Sequence, residues 1–291
     1  MYPAEFDYYR ARSLSDAQAL LAAHPGAKLL AGGHSLIPLL KLRLAAPSAV
    51  IDIGRLTELR GISVNDGQTR IGALTTHAEL AASADLRRSA AALAEAAAIV
   101  GDPAVRNRGT IGGNVAHADP ASDLPTVLVA LGARIVAVGR QGERTIDAAS
   151  FFTGIMTTAL DEPEILAAII VPAAVAGEGS AYVKFSHPAS RYAVLGAAAS
   201  VRLKDGICTA VSVAVGGLLP AARRARAVEA ALTGVAPTDA QVAAAAAKVD
   251  ADLGDEVTGD IFASAGYRRA MAPVYVKRAL LAAAARAGLS A

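Results

Sequence analysis

The sequence predicts an α+β protein built in two successive parts, and three observations carry that expectation. Short apolar runs alternate with helical, alanine-rich stretches through residues 1–171. The segment PAAVAGEGS at 172–180 then shifts to small, flexible residues and marks a boundary near residue 176. Beyond it, alternating runs around a tight turn come first and helices follow, the order of a small antiparallel sheet backed by helices.

Residues 13–23 read as a helix with a Ser or Asp cap and Leu14, Leu20 and Leu21 on one side. A strand at 28–31, a helix at 35–44 and a strand at 50–53 make a β-α-β unit. Within 61–73, SVNDGQTRIGA sets two alternating runs around Asn-Asp-Gly, a hairpin signal. Residues 75–100 are expected to form a helical stretch. The segment 101–125, GDPAVRNRGTIGGNVAHADPASDLP, is the longest without periodicity and reads as a functional loop. A helix resumes at 126–131, RIVAVGRQGERTI gives a second hairpin turning at Gln141 and Gly142, and 166–171 is an apolar strand ending at Pro172. In the second part, strands are expected at 181–185, 194–203 and 207–215, the last two turning at Lys204-Asp205-Gly206, with helices near 223–232, 238–250 and 264–287. Pro273 predicts a break or kink in the final helix.

The chain has 291 residues, 54% hydrophobic and only 4% aromatic, so alanine fills much of the interior. Basic and acidic residues are interspersed and the net charge is +2, which excludes a nucleic-acid footprint. Cys208 is the single cysteine, so neither an internal disulfide nor a cysteine-held iron–sulfur cluster or zinc belongs to this chain. No apolar run reaches the ~18 residues of a membrane span. The N-terminus lacks the apolar core of a secretion signal, and the expectation is a cytoplasmic protein, peripheral to a membrane only through partners.

Two glycine corners raise the functional question. Gly32-Gly33-His34-Ser35 lies between the strand at 28–31 and the helix that follows. A nucleophile elbow needs Gly-x-Ser-x-Gly, and here the last position is Ile37. Neither a Walker loop nor a Gly-x-Gly-x-x-Gly fingerprint occurs. What is left is a turn made for conformational reasons, or a corner whose unpaired backbone N–H groups hold an anion. Thr110-Ile111-Gly112-Gly113-Asn114 repeats the combination inside the long aperiodic segment, and 75 positions separate Ser35 from Thr110. Together the two corners suit the two sides of one diphosphate.

AGGHSLIPLLKLRL followed by RNRGTIGGNVAHADPASDLP resembles the FAD-binding medium subunit of molybdenum hydroxylases, the xanthine dehydrogenase and aerobic carbon monoxide dehydrogenase family. The likeness runs from FDYYRARSLSDAQALLA to YRRAMAPVYVKRAL, and AGGHS with HPASRYA leans toward the carbon monoxide dehydrogenase branch. It implies an FAD-binding domain of the vanillyl-alcohol-oxidase (PCMH) type at 1–176, in subdomains of about 1–57 and 58–176, then a C-terminal domain at 177–291 with a small antiparallel sheet and helices. Ala31, Gly32, Gly33, His34, Ser35 and Leu36 correspond to one diphosphate loop and Thr110, Ile111, Gly112, Gly113 and Asn114 to the other, with backbone amides as main donors. Asp123 corresponds to a carboxylate near the ribose and adenine, or else it caps the helix after it. Leu166 matches an apolar contact, Lys184 a cation at the cofactor, Tyr192 the aromatic over the flavin ring, and Ala73 and Thr75 the segment beside that ring. Valine at Gly32 and Gly113 is expected to abolish FAD retention in a chain that still folds.

No residue is assigned a catalytic or metal-binding role, the flavin being the redox centre. Of the five histidines, His34 and His117 lie within the loops, while His77 and His187 are expected to satisfy local hydrogen bonds. The resemblance implies a small subunit with [2Fe-2S] clusters, a large subunit with the molybdenum cofactor, a doubled heterotrimer (a heterohexamer) and an external acceptor such as a quinone or NAD. Substrate choice, among CO, aldehydes, N-heterocycles and acyl-CoA thioesters, rests with the large subunit. Three alternatives stay open: a stand-alone FAD oxidase or reductase of the same fold, a serine hydrolase using Ser35, and a structural subunit without cofactor.

Overall fold

The structure is a computed structural model and describes residues 2–289. The chain opens with β1 (Asp7–Arg10), α1 (Leu14–Ala23), β2 (Lys28–Leu30), α2 (Leu36–Lys41) and β3 (Ala49–Asp52). The three strands form a parallel sheet in the order β1-β3-β2, so the expected β-α-β unit carries an additional edge strand. That strand, DYYR, is mostly exposed and shows no apolar alternation, which is why periodicity passed over it. Ser13 caps α1, its hydroxyl accepting from the Asp16 N–H at 3.1 Å. The helix α2 is shorter than the 35–44 expected and stops before Arg43, which sits at φ +57°.

The middle of the chain supplies β4 (Ile62–Asn65), β5 (Gln68–Gly72), α3 (His77–Ala82), α4 (Ala84–Ser89), α5 (Ala91–Ala98), α6 (Pro103–Arg108), α7 (Ile111–His117) and α8 (Asp123–Ala130). It continues with β6 (Arg134–Gly139), β7 (Gly142–Asp147), α9 (Ala148–Phe151), β8 (Phe152–Gly154), β9 (Thr157–Thr158) and β10 (Ile165–Pro172). Five of these strands form an antiparallel sheet, β4-β5-β10-β6-β7, with the apolar β10 at its centre. Asp66 and Gly67, at φ +50° and +69°, make the two-residue turn that Asn-Asp-Gly foretold.

Two expectations are corrected here. The stretch 75–100 is three helices, because the Ser83 hydroxyl accepts from the Leu86 N–H at 3.1 Å and starts a new one, and Ala90 leaves helical geometry at φ −155°. The segment 101–125 is not an open loop, since it contains α6, α7 and the start of α8. Each of these short helices opens on a capping signal, Asp102-Pro103 for α6 and Thr110 for α7, which a search for apolar periodicity does not register. All eight residues of α8 are buried, and α5 packs beside it through alanines with no exposure. Each fully buried Leu or Ile of this core contributes about 1.5–3 kcal/mol.

The last part holds β11 (Glu178–Ser186), β12 (Ala193–Lys204), β13 (Ile207–Gly216), β14 (Arg223–Arg224), α10 (Arg226–Leu232), α11 (Asp239–Ala246), α12 (Val249–Leu253) and α13 (Ala265–Leu289). Its four strands form an antiparallel sheet in chain order, with Asp205 and Gly206 at the β12–β13 turn. The helix α13 runs on through Pro273, so of the expected break or kink the break does not occur. Burial of Ala272, Val276, Ala279, Leu280 and Ala283 against the sheet outweighs the one backbone bond that proline forfeits.

Candidate functional site

A cleft of about 840 Å³ opens between the first sheet, the second sheet and the loop before β12, within the ~300–1,000 Å³ usual for small-molecule sites. The two glycine corners meet in it. Gly32 lies against α6 and the start of the second loop, so that a Cβ on it would stand 2.1 Å from the Arg108 carbonyl oxygen. A Cβ on Gly113 would lie 3.9 Å from the Ala31 Cβ. Ala31, Gly32, Gly33, His34, Ser35 and Leu36 line the cleft from the first loop, Thr110, Gly112, Gly113 and Asn114 from the second. Ala73, Asp123, Leu166 and Tyr192 complete the group brought together here.

The loops contribute unequally, against the expectation of two matching sets of amides. The N–H groups of Gly32, Gly33, His34, Ser35 and Leu36 find no protein acceptor among the described residues. In the second loop the N–H groups of Ile111, Gly112, Gly113 and Asn114 are already used. Ile111 donates to the Thr75 carbonyl (3.0 Å), Gly112 to the Ala73 carbonyl (2.8 Å), Gly113 to the Thr110 hydroxyl (3.2 Å) and Asn114 to the Thr110 carbonyl (3.0 Å). The second loop is therefore a braced wall, and from Ile111 to Asn114 what it offers a ligand is the Asn114 side chain. The Asn114 Oδ1 accepts from the Ser122 hydroxyl at 2.8 Å, which leaves the amide nitrogen as the free donor. Gly33 needs to be glycine for its φ of +78°, and Gly112 because a Cβ there would sit 2.5 Å from that of Ala73. Valine at Gly32 would thus collide with backbone rather than with a phosphate, so the expectation of a normally folded variant is withdrawn.

Three of the sequence-derived residues do not line the cleft. Ile111 is fully buried. The Thr75 hydroxyl exchanges bonds with the Gly61 backbone, accepting at 3.1 Å and donating at 3.2 Å, which pins the hairpin to the loop. The Lys184 side chain is 1% exposed and ion-paired to Asp123 at 2.9 Å. Asp123 also accepts from the Tyr182 hydroxyl at 2.7 Å. Burial raises the Asp123 carboxyl above the ordinary range, against the opposing pull of Lys184 and Tyr182. Tyr192, 44% exposed, sits on the mouth of the cleft, its phenol pushed up by burial and by Asp119 and Asp123.

His77 was missed as a site residue. It lines the cleft, is 3% exposed, and its Nδ1 is buried without a hydrogen-bond partner. Burial first, then His34 and Arg106, hold its imidazole down at about 4, so it is neutral. The signal was available: Thr76 and Glu79 form a capping box that places His77 at the first position of α3. His187 behaves as expected, its Nδ1 accepting from the Ala189 and Ser190 N–H groups at 3.2 and 3.3 Å. Arg140 and the turn at 161–164 also border the cleft, and neither carried a sequence motif.

Comparison with known proteins agrees with this geometry. The family model described as the FAD binding domain in molybdopterin dehydrogenase matches residues 4–174, and that of the CO dehydrogenase flavoprotein C-terminal domain matches 180–283. The carbon monoxide dehydrogenase medium chain of Hydrogenophaga pseudoflava is 41% identical over 98% of this chain and 99% of its own. The FAD-binding subunit of xanthine dehydrogenase from Escherichia coli O157:H7 is 34% identical over 73% of this chain and 74% of its own. A solved carbon monoxide dehydrogenase from Hydrogenophaga pseudoflava, lacking the Mo-pyranopterin moiety, superposes with a TM-score of 0.94 at 44% identity, covering 98% of this chain and 99% of that one. Quinoline 2-oxidoreductase from Pseudomonas putida 86 superposes at 0.92 with 31% identity, covering 99% of both. The fold, the cleft and these likenesses together place the chain in the family of FAD-binding subunits of molybdopterin dehydrogenases.

Proposed function

We propose that this chain is the FAD-binding, electron-transferring subunit of a molybdenum hydroxylase of the carbon monoxide dehydrogenase type. The observation that carries the reading is the run of five unbonded amides from Gly32 to Leu36, in a loop that lines a cleft of cofactor size together with the second loop. These amides suit diphosphate oxygens, and Asn114 supplies one further donor. The neutral His77 adds polarity at the same wall without adding charge. Asp123 presents a carboxylate to hydroxyl groups, Leu166 an apolar surface, and Tyr192 an aromatic face at the cleft mouth. FAD supplies the electron chemistry when bound, and this chain supplies grip, orientation and exclusion of water.

In this reading a small subunit with [2Fe-2S] clusters and a large subunit with the molybdenum cofactor deliver electrons to the cleft, a quinone or NAD removes them, and the assembly is a doubled heterotrimer. The division into 1–176 and 177–291 belongs to the same proposal and is supported by the spans of the two family matches. No helix among the described residues is long and apolar enough to cross a membrane. The serine hydrolase alternative loses its support, because among the described residues the Ser35 hydroxyl bonds to no histidine or carboxylate.

The test is to express the full chain, supply FAD, and identify chains and metals that co-purify from the native host. A yellow protein with an oxidised flavin spectrum, co-eluting with molybdenum- and iron-bearing chains, is expected. A colourless chain that takes up no FAD overturns the proposal, and a flavoprotein that turns over a substrate alone favours the stand-alone enzyme.

A further inference from the structure

We propose that Lys184 is a positioning residue that clamps the loop 187–192, and with it Tyr192, onto the cleft. This rests on the reading of the cleft as an FAD site. An ammonium has three N–H donors, and here all three have acceptors: the Arg191 carbonyl at 2.8 Å, the Asp123 Oδ2 at 2.9 Å and the Ile99 carbonyl at 3.1 Å. With the side chain 1% exposed, no donor remains for a ligand.

The three acceptors belong to three separate segments. Ile99 follows α5, Asp123 begins α8, and Arg191 precedes Tyr192 in the loop. Lys184 and Tyr182 lie two positions apart on one face of β11, and both hold Asp123, so the strand grips the start of α8 with two side chains. From that fixed base Lys184 reaches the loop. Arg191 stands at φ +60°, a left-handed conformation that is unfavourable for a non-glycine residue and persists only where the surroundings impose it. The carbonyl held by Lys184 is the one on this strained residue. Within the loop the His187 N–H donates to the Tyr192 carbonyl and the Arg191 N–H to the His187 carbonyl, both at 2.8 Å, which close the turn on itself. Toward the rest of the chain the remaining bonds are Arg191 Nη1 to the Gly101 carbonyl at 3.3 Å and the Ala193 N–H to the Ala121 carbonyl at 3.0 Å at the loop's far end. No other side-chain cation among the described residues bonds the backbone of 187–192.

Trypsin cleaves after arginine, so the Arg191–Tyr192 bond reports the clamp directly, in cofactor-free full-length chain. Lys184→Met is expected to speed cleavage at this bond by about tenfold, the change that ~1.4 kcal/mol of lost local stability produces when opening is rapid. Lys184→Arg, which keeps a cation with several donors, is expected to recover part of the protection. Equal cleavage in wild type and Lys184→Met overturns the proposal. Should Lys184→Met not fold, hydrogen exchange of the wild type decides instead. Residues 187–193 are expected to exchange at least about tenfold more slowly than an open loop, and exchange at the open-loop rate overturns the clamp. FAD retention by the wild type is scored separately, so loss of the cofactor reading and loss of the clamp give different results.

Discussion

Gly32 packs on the carbonyl of Arg108, and this contact joins the two glycine loops before any ligand is present. It follows that the glycines of the two corners are needed for unequal reasons. Gly32→Ala pushes a methyl into backbone, whereas the one close contact of Gly113→Ala is the Thr110 hydroxyl at 2.9 Å, the Ala31 Cβ lying at an ordinary 3.9 Å. Gly32→Ala is expected to cost about 1–3 kcal/mol, lowering the unfolding midpoint by several degrees, and to release FAD. Gly113→Ala is expected to cost about 1 kcal/mol, the value of the Thr110 cap it disturbs. Thermal unfolding beside flavin-to-protein ratios checks both, and equal losses would contradict the packing argument.

Neutral His77 makes stability depend on pH. The folded imidazole titrates near 4, below its ordinary 6.5, so between those values the unfolded chain binds the extra proton. Stability is full above pH 6.5 and is lost as pH falls toward 4, by at most ~1.4 kcal/mol per pH unit and about 3 kcal/mol in all. Asp123, whose folded carboxyl is raised, acts in the opposite direction. The difference between wild type and His77→Leu therefore isolates the histidine. Urea midpoints that run parallel from pH 7 to 4.5 would refute the assignment.

Asp123 carries the charge that Lys184 needs. Asp123→Asn leaves a buried ammonium with carbonyl partners only, and a loss of about 3 kcal/mol is expected. Adding Lys184→Met removes that stranded charge, so the double variant should recover part of the loss. A double-mutant cycle with no coupling energy would show that the pair does not act as a unit.

Tyr192 is 44% exposed and borders the cleft. Under the proposed function its ring covers the flavin, and Tyr192→Ala should weaken FAD retention about threefold to tenfold and raise flavin emission. An unchanged emission spectrum and affinity would remove that role.

The sequence by itself determined the local pieces. Asp66-Gly67 and Asp205-Gly206 fixed two turns through backbone preference, Ser13 started a helix, and the apolar run ending at Pro172 became the central strand of the second sheet. The paired loops and the resemblance they carried were also legible, because motif residues sit close together in the chain. Tertiary structure decided what neighbours across the chain do to each other. Lys184 is a cation in the sequence, yet the fold consumes all three of its donors. Ile111 and Gly112 look like free amide donors, yet Thr75 and Ala73, more than thirty positions away, bind them. His77 is expected from the sequence to satisfy a local hydrogen bond, yet its Nδ1 is buried without a partner and burial keeps the ring neutral. A hydrogen bond is spent once, and which partner receives it depends on distances between remote segments that only the folded chain establishes.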